Sequence, residues 1–318
     1  MFAAEMMNEC SLQTWGQNSR CRHAVSSTPE GPYTGVDVAV TNWCHNPAII
    51  VTKAGVWALF HIGDGTGGNV QNCTASASTS SSSMENHDHV REEEAKKTAA
   101  SSASSGGSTL HTAPSPNGPW TPATPLPNCN NPAPFLAKNN SVFLVCGSNA
   151  LYRCDDFSAS GCGTWNLVTR FTPSGPRLNG NYEDPFLFID TRGNFHVIFH
   201  VYRTGPVGGD AHNCLPGHDG AVVSGHAWSI DGLSWFTSAT QPYGNVINLT
   251  DGTQQLLTTR ERPKLLFNAQ GEPTHLSNGV CPSPGNFNTP FSCPTVSTGC
   301  VDCKYNDWDF TNVSPLAY

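Results

Sequence analysis

Four polar pairs in the 318-residue chain each stand directly before a proline. They are the HN pair at His45, the NN pair at Asn130, the ED pair at Glu183 and the ER pair at Glu261. Together they offer an imidazole, amides, carboxylates and a guanidinium, a mixture that suits a ligand with many hydroxyl groups. Carboxylates in one pocket can also act as acid and base when their neighbours move their pKa values apart.

Each polar pair begins one copy of an internal repeat, and the repeat predicts the strands that position the pair. The repeat is seen in HNPAIIVTKAGVWALFHIG, NNPAPFLAKNNSVFLVCGS, EDPFLFIDTRGNFHVIFHV and ERPKLLFNAQGEPTHLSNG. Eight residues after each proline stands a turn former, and these are Gly55, Asn140, Gly193 and Gly271. Short apolar runs flank each turn, so every copy predicts two antiparallel strands joined by a tight turn.

A second repeated element supplies another pair of strands to each copy. The strings RHAVSSTPEGPY, LHTAPSPNGPW and GHAWSIDGLSW, starting at Arg22, Leu110 and Gly225, share a histidine, a serine, a glycine and an aromatic residue. Two such hairpins make one four-stranded antiparallel blade, which predicts an all-β, five-bladed β-propeller. A β-sandwich would explain the alternation of apolar residues but not the fixed distance from proline to turn.

In a propeller the inner strands of all blades converge, so the polar residues at their starts are predicted to share one pocket. We therefore predict a substrate-binding set that consists of His45, Asn46, Asn131, Glu183, Arg260, Arg262 and His226. The recurrence of His226 with Ser229 is also compatible with a hydrogen-bonding role in the repeat. Four inner hairpins and an extra outer hairpin near residues 22–40 predict one blade that is incomplete at the N-terminus. The propeller is predicted to occupy residues 1–318 as one domain, with a flexible serine-rich insertion at 74–108.

Composition limits the cellular context and the partners of the chain. The net charge of −8 argues against a nucleic-acid partner, and no apolar run is long enough to span a membrane. Thirteen cysteines predict a secreted protein with disulfides, and Cys154 and Cys162 are spaced to close a short loop. Four sequons add possible N-linked glycans, at Asn72, Asn139, Asn248 and Asn312. The first twenty residues do not read as a signal peptide, which predicts either a separate export segment or a longer protein.

The strings EDPFLFIDTRGNFHV and RERPKLLF resemble the five-bladed propellers of the arabinanase, levansucrase and invertase superfamily, most closely the family 43 glycoside hydrolases. The resemblance implies a carbohydrate ligand and three acidic residues on inner strands. It makes Asp184 the catalytic residue that orients the sugar and tunes pKa values, and Glu261 the general acid. The third residue, an Asp that serves as base or nucleophile, has no match, because the early strands carry Asn46 and Asn131 at its position.

Two functions remain open at this stage. The first is a glycoside hydrolase whose third carboxylate lies elsewhere, including upstream of Met1. The second is a catalytically inactive propeller that binds glycans or proteins as a component of an extracellular assembly. Neither function needs a cofactor, although a structural cation in the central channel is compatible with the sequence. The pair Cys300 and Cys303 lacks the partners of a zinc site.

Overall fold

The computed structural model describes residues 1–8, 10, 14–68, 70–73, 107–174, 182–201, 223–249, 251–282 and 310–316. These residues form five antiparallel sheets and one short helix, α1 (Trp15–Asn18). The predicted all-β, five-bladed propeller with antiparallel blades is confirmed. No helix in these ranges is long and apolar enough to cross a membrane.

The contacts within the chain divide it into two compact units. The first unit comprises Met1–Val25, Thr34–Asn130 and Ser158–Gly161, and the second comprises Ser26–Tyr33, Asn131–Phe157 and Cys162–Tyr318. Each unit is described by itself below. The prediction of a single domain over residues 1–318 stays a prediction.

The first unit contains two sheets. Their strands are β1 (Phe2–Met6), β2 (Ser19–Val25), β3 (Thr34–Val40), β4 (His45–Val51), β5 (Trp57–Ile62), β6 (Ser108–Ala113) and β7 (Thr124–Pro125). The first sheet has the order β1-β2-β3, so it has three strands among the described residues, and the second has the order β4-β5-β6-β7. Most of the predicted insertion, residues 74–106, lies outside the described residues, while Ser108 already belongs to β6.

The second unit contains three four-stranded sheets. Their strands are β8 (Ala133–Leu136), β9 (Val142–Val145), β10 (Ala150–Cys154), β11 (Asn166–Arg170), β12 (Tyr182–Ile189), β13 (Phe195–Val201), β14 (Ser224–Ser229), β15 (Phe236–Thr237), β16 (Val246–Asn248), β17 (Gln254–Phe267), β18 (Pro273–Pro282) and β19 (Phe310–Pro315). In each sheet neighbouring strands follow one another in sequence order. β12 lies beside both β8 and β17, which brings the starts of the repeated hairpins together within this unit.

The four turn residues of the repeat have the left-handed backbone conformation that suits a tight turn. Gly55, Asn140, Gly193 and Gly271 have φ angles of 79°, 71°, 95° and 83°. This left-handed region favours glycine and tolerates asparagine, which explains why only these two residue types occupy the four turns.

The residue before each repeat proline has the same unusual backbone. Asn46, Asn131, Asp184 and Arg262 have φ angles of 49°, 48°, 52° and 51°. In β4, β12 and β17 the strand register shifts at this point, so the polar pair before the proline forms a β-bulge. Bulges redirect side chains, and here each one redirects the polar residue at the start of a repeated hairpin.

Apolar side chains from the strands fill the core of each unit. In the second unit the core includes Val145, Leu187, Val197 and Phe199, none of which is more than 1% exposed. In the first unit Leu59 packs beside the disulfide of Cys21 and Cys44.

Eight described cysteines are disulfide-bonded. Bonds join Cys10 to Cys73 and Cys21 to Cys44 in the first unit. In the second unit a bond joins Cys154 to Cys162, so the predicted short loop is confirmed.

Candidate functional site

Four ionisable side chains of the second unit converge at the start of β12. Glu183, Asp184, His200 and Glu261 each place one potential ligand atom within 4.8 Å of those of the other three. Glu183 and His200 face each other across the pairing of β12 with β13, and Glu261 lies on the neighbouring strand β17. We call these four residues the acidic cluster.

The backbone of β12 explains how two consecutive residues reach the same cluster. Consecutive side chains of a regular strand point to opposite faces of the sheet. The bulge interrupts this alternation after Glu183, and the positive φ of Asp184 turns that residue inward. As a result Asp184 is only 3% exposed, whereas Glu183 is partly exposed.

Cationic groups surround the carboxylates of the acidic cluster. Arg262 Nη1 lies 3.3 Å from Glu261 Oε2. Burial lowers the pKa of Lys264 to about 8, although the nearby carboxylate of Asp184 acts in the opposite direction. These contacts partly balance the negative charge of three carboxyl groups.

Asp184 is buried among charged groups of the acidic cluster and its neighbours. Burial raises the pKa of Asp184, the guanidinium of Arg262 opposes this rise, and the carboxylate of Glu261 adds to it. A carboxyl group with a raised pKa keeps its proton to a higher pH than an exposed aspartate does. Neighbouring carboxyl groups with different affinities for a proton are what acid–base catalysis requires.

Arg260 belongs to a buried hydrogen-bond network that reaches the backbone of Glu261. It is 5% exposed, and its Nε and Nη1 donate hydrogen bonds to Asn278 Oδ1 (3.0 Å) and the Gly244 carbonyl (2.8 Å). Its guanidinium also lies over the ring of Tyr243, 4.9 Å from the ring centre. Asn278 Nδ2 in turn donates to the Glu261 carbonyl (3.1 Å), so this network fixes the backbone that carries Glu261. That Arg260 binds substrate stays a prediction. Its contacts with Asn278, Gly244 and Tyr243 give Arg260 a structural role.

The side chains of the acidic cluster could also coordinate a metal cation. Three carboxylate oxygens and one imidazole nitrogen suit a divalent metal ion. The group formed by Cys154, Asp156 and Cys162 differs, because its two sulfurs are joined in a disulfide and are not thiolates.

The remaining predicted residues lie in different places. Asn131, 7% exposed, stands just before β8 in the second unit. His45 and Asn46 are buried at the start of β4 in the first unit, where the His45 ring lies 5.0 Å from the ring of Trp15. Their part in binding stays a prediction.

His226 is engaged with another histidine and is not part of the acidic cluster. Its Nε2 lies 3.0 Å from His196 Nδ1, and the two rings are stacked. His196 Nε2 lies 3.4 Å from Asp190 Oδ2. Burial acts to raise the pKa of Asp190, but hydrogen bonds from Asn194 and Arg192 outweigh it and hold that pKa well below its usual range. This pairing supports the repeat-wide hydrogen-bonding role for His226.

We expect His226 to make the fold less stable in mild acid. Burial, together with the charge of His196, lowers its pKa from 6.5 to about 4. Between these two pH values the unfolded chain binds a proton at His226 and the folded chain does not, so the free energy of unfolding falls by an amount on the order of 3 kcal/mol. Chemical denaturation at pH 7 and pH 4.5 should show this loss, and His226→Gln should reduce it. An equal loss in both proteins would contradict the expectation.

Two residues of the site were not among the predicted site residues, although the sequence placed His200 beside a glycine-rich loop that could border the pocket. His200 lies at the far end of the second strand of its hairpin, and only the strand register brings it opposite Glu183. Lys264 follows the proline of its repeat by one residue, where the other copies carry alanine or phenylalanine. That difference between the copies is the signal that could have identified Lys264.

Comparison with known proteins finds similarity to solved structures. No family model and no curated protein matches the chain. An endo-arabinase from Bacteroides thetaiotaomicron is 12% identical with a TM-score of 0.48, over 94% of this chain and 86% of that one. A thermostable family-43 glycoside hydrolase is 10% identical with a TM-score of 0.47, over 95% and 83%. An exo-β-1,3-galactanase from Phanerochaete chrysosporium is 9% identical with a TM-score of 0.46, over 99% and 60%. A family-43 glycoside hydrolase is thus among the solved structures to which the chain is similar, as the motifs led us to expect.

Proposed function

We propose that this chain is a glycoside hydrolase-like protein whose ligand is a carbohydrate bound at the acidic cluster. The observation that supports the proposal is the placement of Glu183, Asp184 and Glu261 within 4.8 Å of one another. The resemblance to the propeller hydrolases implies three carboxylates that act on one bond. Glycosidases hold their two catalytic carboxyl groups about 5–5.5 Å apart when they retain configuration and about 6.5–9.5 Å apart when they invert it, so the spacing in this cluster is nearer the retaining arrangement.

Glu183 supplies the third carboxylate that the motifs lacked. The amides Asn46 and Asn131 stand where the resemblance expects an acidic residue, and an amide cannot accept a proton as a carboxylate does. Glu183 is partly exposed and faces His200, so a ligand could reach it. In this proposal the three carboxylates share the acid, base and sugar-orienting roles, and no cofactor is required.

A second candidate is a propeller that binds a glycan without cleaving it. The ion pair of Glu261 with Arg262 favours this candidate, because ion pairs of this kind are often structural. A binding propeller would use the same cluster to accept hydrogen bonds from sugar hydroxyl groups. The two candidates therefore differ in product formation and not in the location of the ligand.

We also propose that the protein passes through the secretory pathway. The eight disulfide-bonded cysteines fit an oxidising compartment. Among the sequon asparagines, Asn72, Asn139 and Asn248 are exposed and Asn312 is partly buried, so the first three are the better acceptors for N-linked glycans. Unchanged gel mobility after enzymatic deglycosylation of protein made in eukaryotic secretory cells would contradict glycosylation.

Asp184→Asn is the substitution that tests the proposed site most cleanly. Asparagine already occupies the same left-handed backbone at Asn46 and Asn131, so the bulge should form normally. The substitution also removes a buried carboxylate, so we expect a thermal unfolding midpoint at pH 8 that is no lower than that of the wild type. Hydrolysis should fall by roughly 10²-fold or more, because a positioned ionisable group contributes about that much.

The measurement is a screen of arabino-, xylo- and fructo-oligosaccharides, with release of reducing ends and calorimetric binding as readouts. Asp251→Asn is the matched control, because Asp251 lies exposed in the turn between β16 and β17. Wild-type cleavage that Asp184→Asn loses and Asp251→Asn keeps would support the hydrolase. Binding without cleavage would support the second candidate, and neither binding nor cleavage would count against the carbohydrate proposal.

A further inference from the structure

Two tryptophans lie beside the start of β4 in the first unit. Trp15 belongs to α1, and Trp43 stands two residues before His45. Both side chains are partly exposed, and their ring centres are 5.8 Å apart. The ring of His45 lies 5.0 Å from that of Trp15. The acidic cluster belongs to the second unit and involves none of these rings.

The angles between the rings leave aromatic surface open to a ligand. Trp15 is inclined by 49° to Trp43 and by 36° to His45, so it stacks face to face on neither. Trp235 of the second unit differs, because its ring lies flat on Phe171 at 4.1 Å with an angle of only 13°. One face of Trp235 is therefore covered by packing, whereas the tilted rings beside β4 keep part of their faces accessible.

The backbone around the two tryptophans is held firmly. Trp43 precedes Cys44, which is bonded to Cys21. Gly63 lies directly on the Trp43 indole, where a Cβ would come within 2.8 Å of two ring carbons. α1 ends at the fully buried Asn18. Rings that are fixed before a ligand arrives lose little conformational entropy when it binds, which favours binding.

Polar groups stand next to the Trp43 ring. Gly65 donates its backbone N–H to the Trp43 carbonyl (3.0 Å), and Asp64, between Gly63 and Gly65, is exposed. The Asp64 carboxylate accepts a hydrogen bond from the backbone N–H of Thr66 (3.0 Å), which orients it. Aromatic surface with a few placed polar groups is the composition of a small-molecule site.

This combination selects the chemistry of the ligand. The C–H groups of a sugar ring carry slight positive charge and pack on the negative face of an aromatic ring. Its hydroxyl groups can donate to the carboxylate of Asp64. A purely apolar partner fits less well, because it would remove that carboxylate from water without giving it a hydrogen bond.

We propose that Trp15 and Trp43 form a carbohydrate-binding subsite in the first unit, with Asp64 accepting hydrogen bonds from sugar hydroxyl groups. The inference rests on the proposed function, because it takes a carbohydrate as the ligand. It adds a binding site whose residues are separate from the acidic cluster. In the repeat the HN pair of β4 corresponds to the ED pair of β12. The start of the hairpin thus offers aromatic contact in one copy and carboxylates in the other.

The test follows the indole N–H signals of the eight tryptophans by NMR, each assigned with a Trp→Phe variant. The full chain with Glu261→Gln is titrated with xylohexaose, arabinohexaose and fructo-oligosaccharides, so that a bound sugar stays intact. The signals of Trp15 and Trp43 should move with the oligosaccharide that binds, and the signal of Trp235 should stay.

Calorimetry then measures what the rings contribute to affinity. Trp15→Ala should raise Kd by roughly 2- to 10-fold, the worth of one aromatic contact, and the control Trp235→Phe should leave Kd unchanged. Binding that leaves the signals of Trp15 and Trp43 unmoved would overturn the subsite, and so would an unchanged Kd in Trp15→Ala. Either result would leave the acidic cluster as the proposed sugar site.

The opposite failure is recognised separately. If the signals of Trp15 and Trp43 move while Asp184→Asn keeps wild-type affinity and hydrolysis, the subsite is supported and the acidic cluster is not. If none of the oligosaccharides binds, the subsite and the proposed function both fail.

Discussion

Replacing Glu261 by glutamine is expected to slow the hydrolysis of a cleaved oligosaccharide by about 10²–10⁴-fold. Glutamine preserves the size of the side chain and its capacity for hydrogen bonds, but it neither donates nor accepts a proton near neutral pH. The backbone at Glu261 should be unaffected, because Asn278 still donates to its carbonyl and Arg260 still holds Asn278. The loss should therefore appear in kcat more than in KM.

Glu272→Gln is the matched control for this result. Glu272 is exposed in the turn between β17 and β18, where its carboxylate accepts a hydrogen bond from Asn268 (2.9 Å). Its replacement should leave kcat unchanged. Initial rates for wild type and both variants on the same oligosaccharide check the prediction, and equal rates for wild type and Glu261→Gln would remove Glu261 from the mechanism.

The second large effect is expected in the core that supports the acidic cluster. Phe199 is 1% exposed, precedes His200 on β13, and packs beside Tyr182 with a ring separation of 5.1 Å. Across the pairing with β14 it faces Gly225, where any side chain would collide with its ring. Phe199→Ala removes this ring from a closely packed core, so the free energy of unfolding should fall by about 3–5 kcal/mol.

Phe236→Ala provides the comparison for Phe199→Ala. Phe236 belongs to the same sheet and is 52% exposed, and it stacks on Trp228 at 4.9 Å. Losing that surface contact should cost only about 0.5–1.5 kcal/mol. Chemical denaturation with the disulfides intact measures both values. Similar losses in the two variants would contradict the assigned core position of Phe199.

The hairpins were predictable from the sequence because the repeat fixes both their length and their turns. Proline marks the start of each copy, and glycine or asparagine stands where the chain needs a left-handed residue, as at Gly193 and Asn140. These are local requirements of the backbone, so they are visible in the residue types alone. β1 was missed, since it lies before the first recognisable repeat motif.

The acidic cluster was predictable only in part. Glu183, Asp184 and Glu261 could be selected because they begin repeated strands. Their closeness depends on bulges and strand neighbours, which a sequence pattern does not specify. Asn46 and Asn131 have the same left-handed backbone as Asp184, so the backbone at these positions accepts either asparagine or aspartate. His200 depends on strand register alone, so it could not be assigned in advance.

The most direct test of the proposed site is a crystal structure of Glu261→Gln soaked with an oligosaccharide that binds in solution. Slow turnover in this variant should preserve the intact ligand. The account predicts a glycosidic oxygen within hydrogen-bonding distance of a carboxyl group of the acidic cluster, with sugar hydroxyl groups bonded to Glu183 or Asp184. An oligosaccharide bound elsewhere on the protein, with the acidic cluster free of sugar, would contradict it.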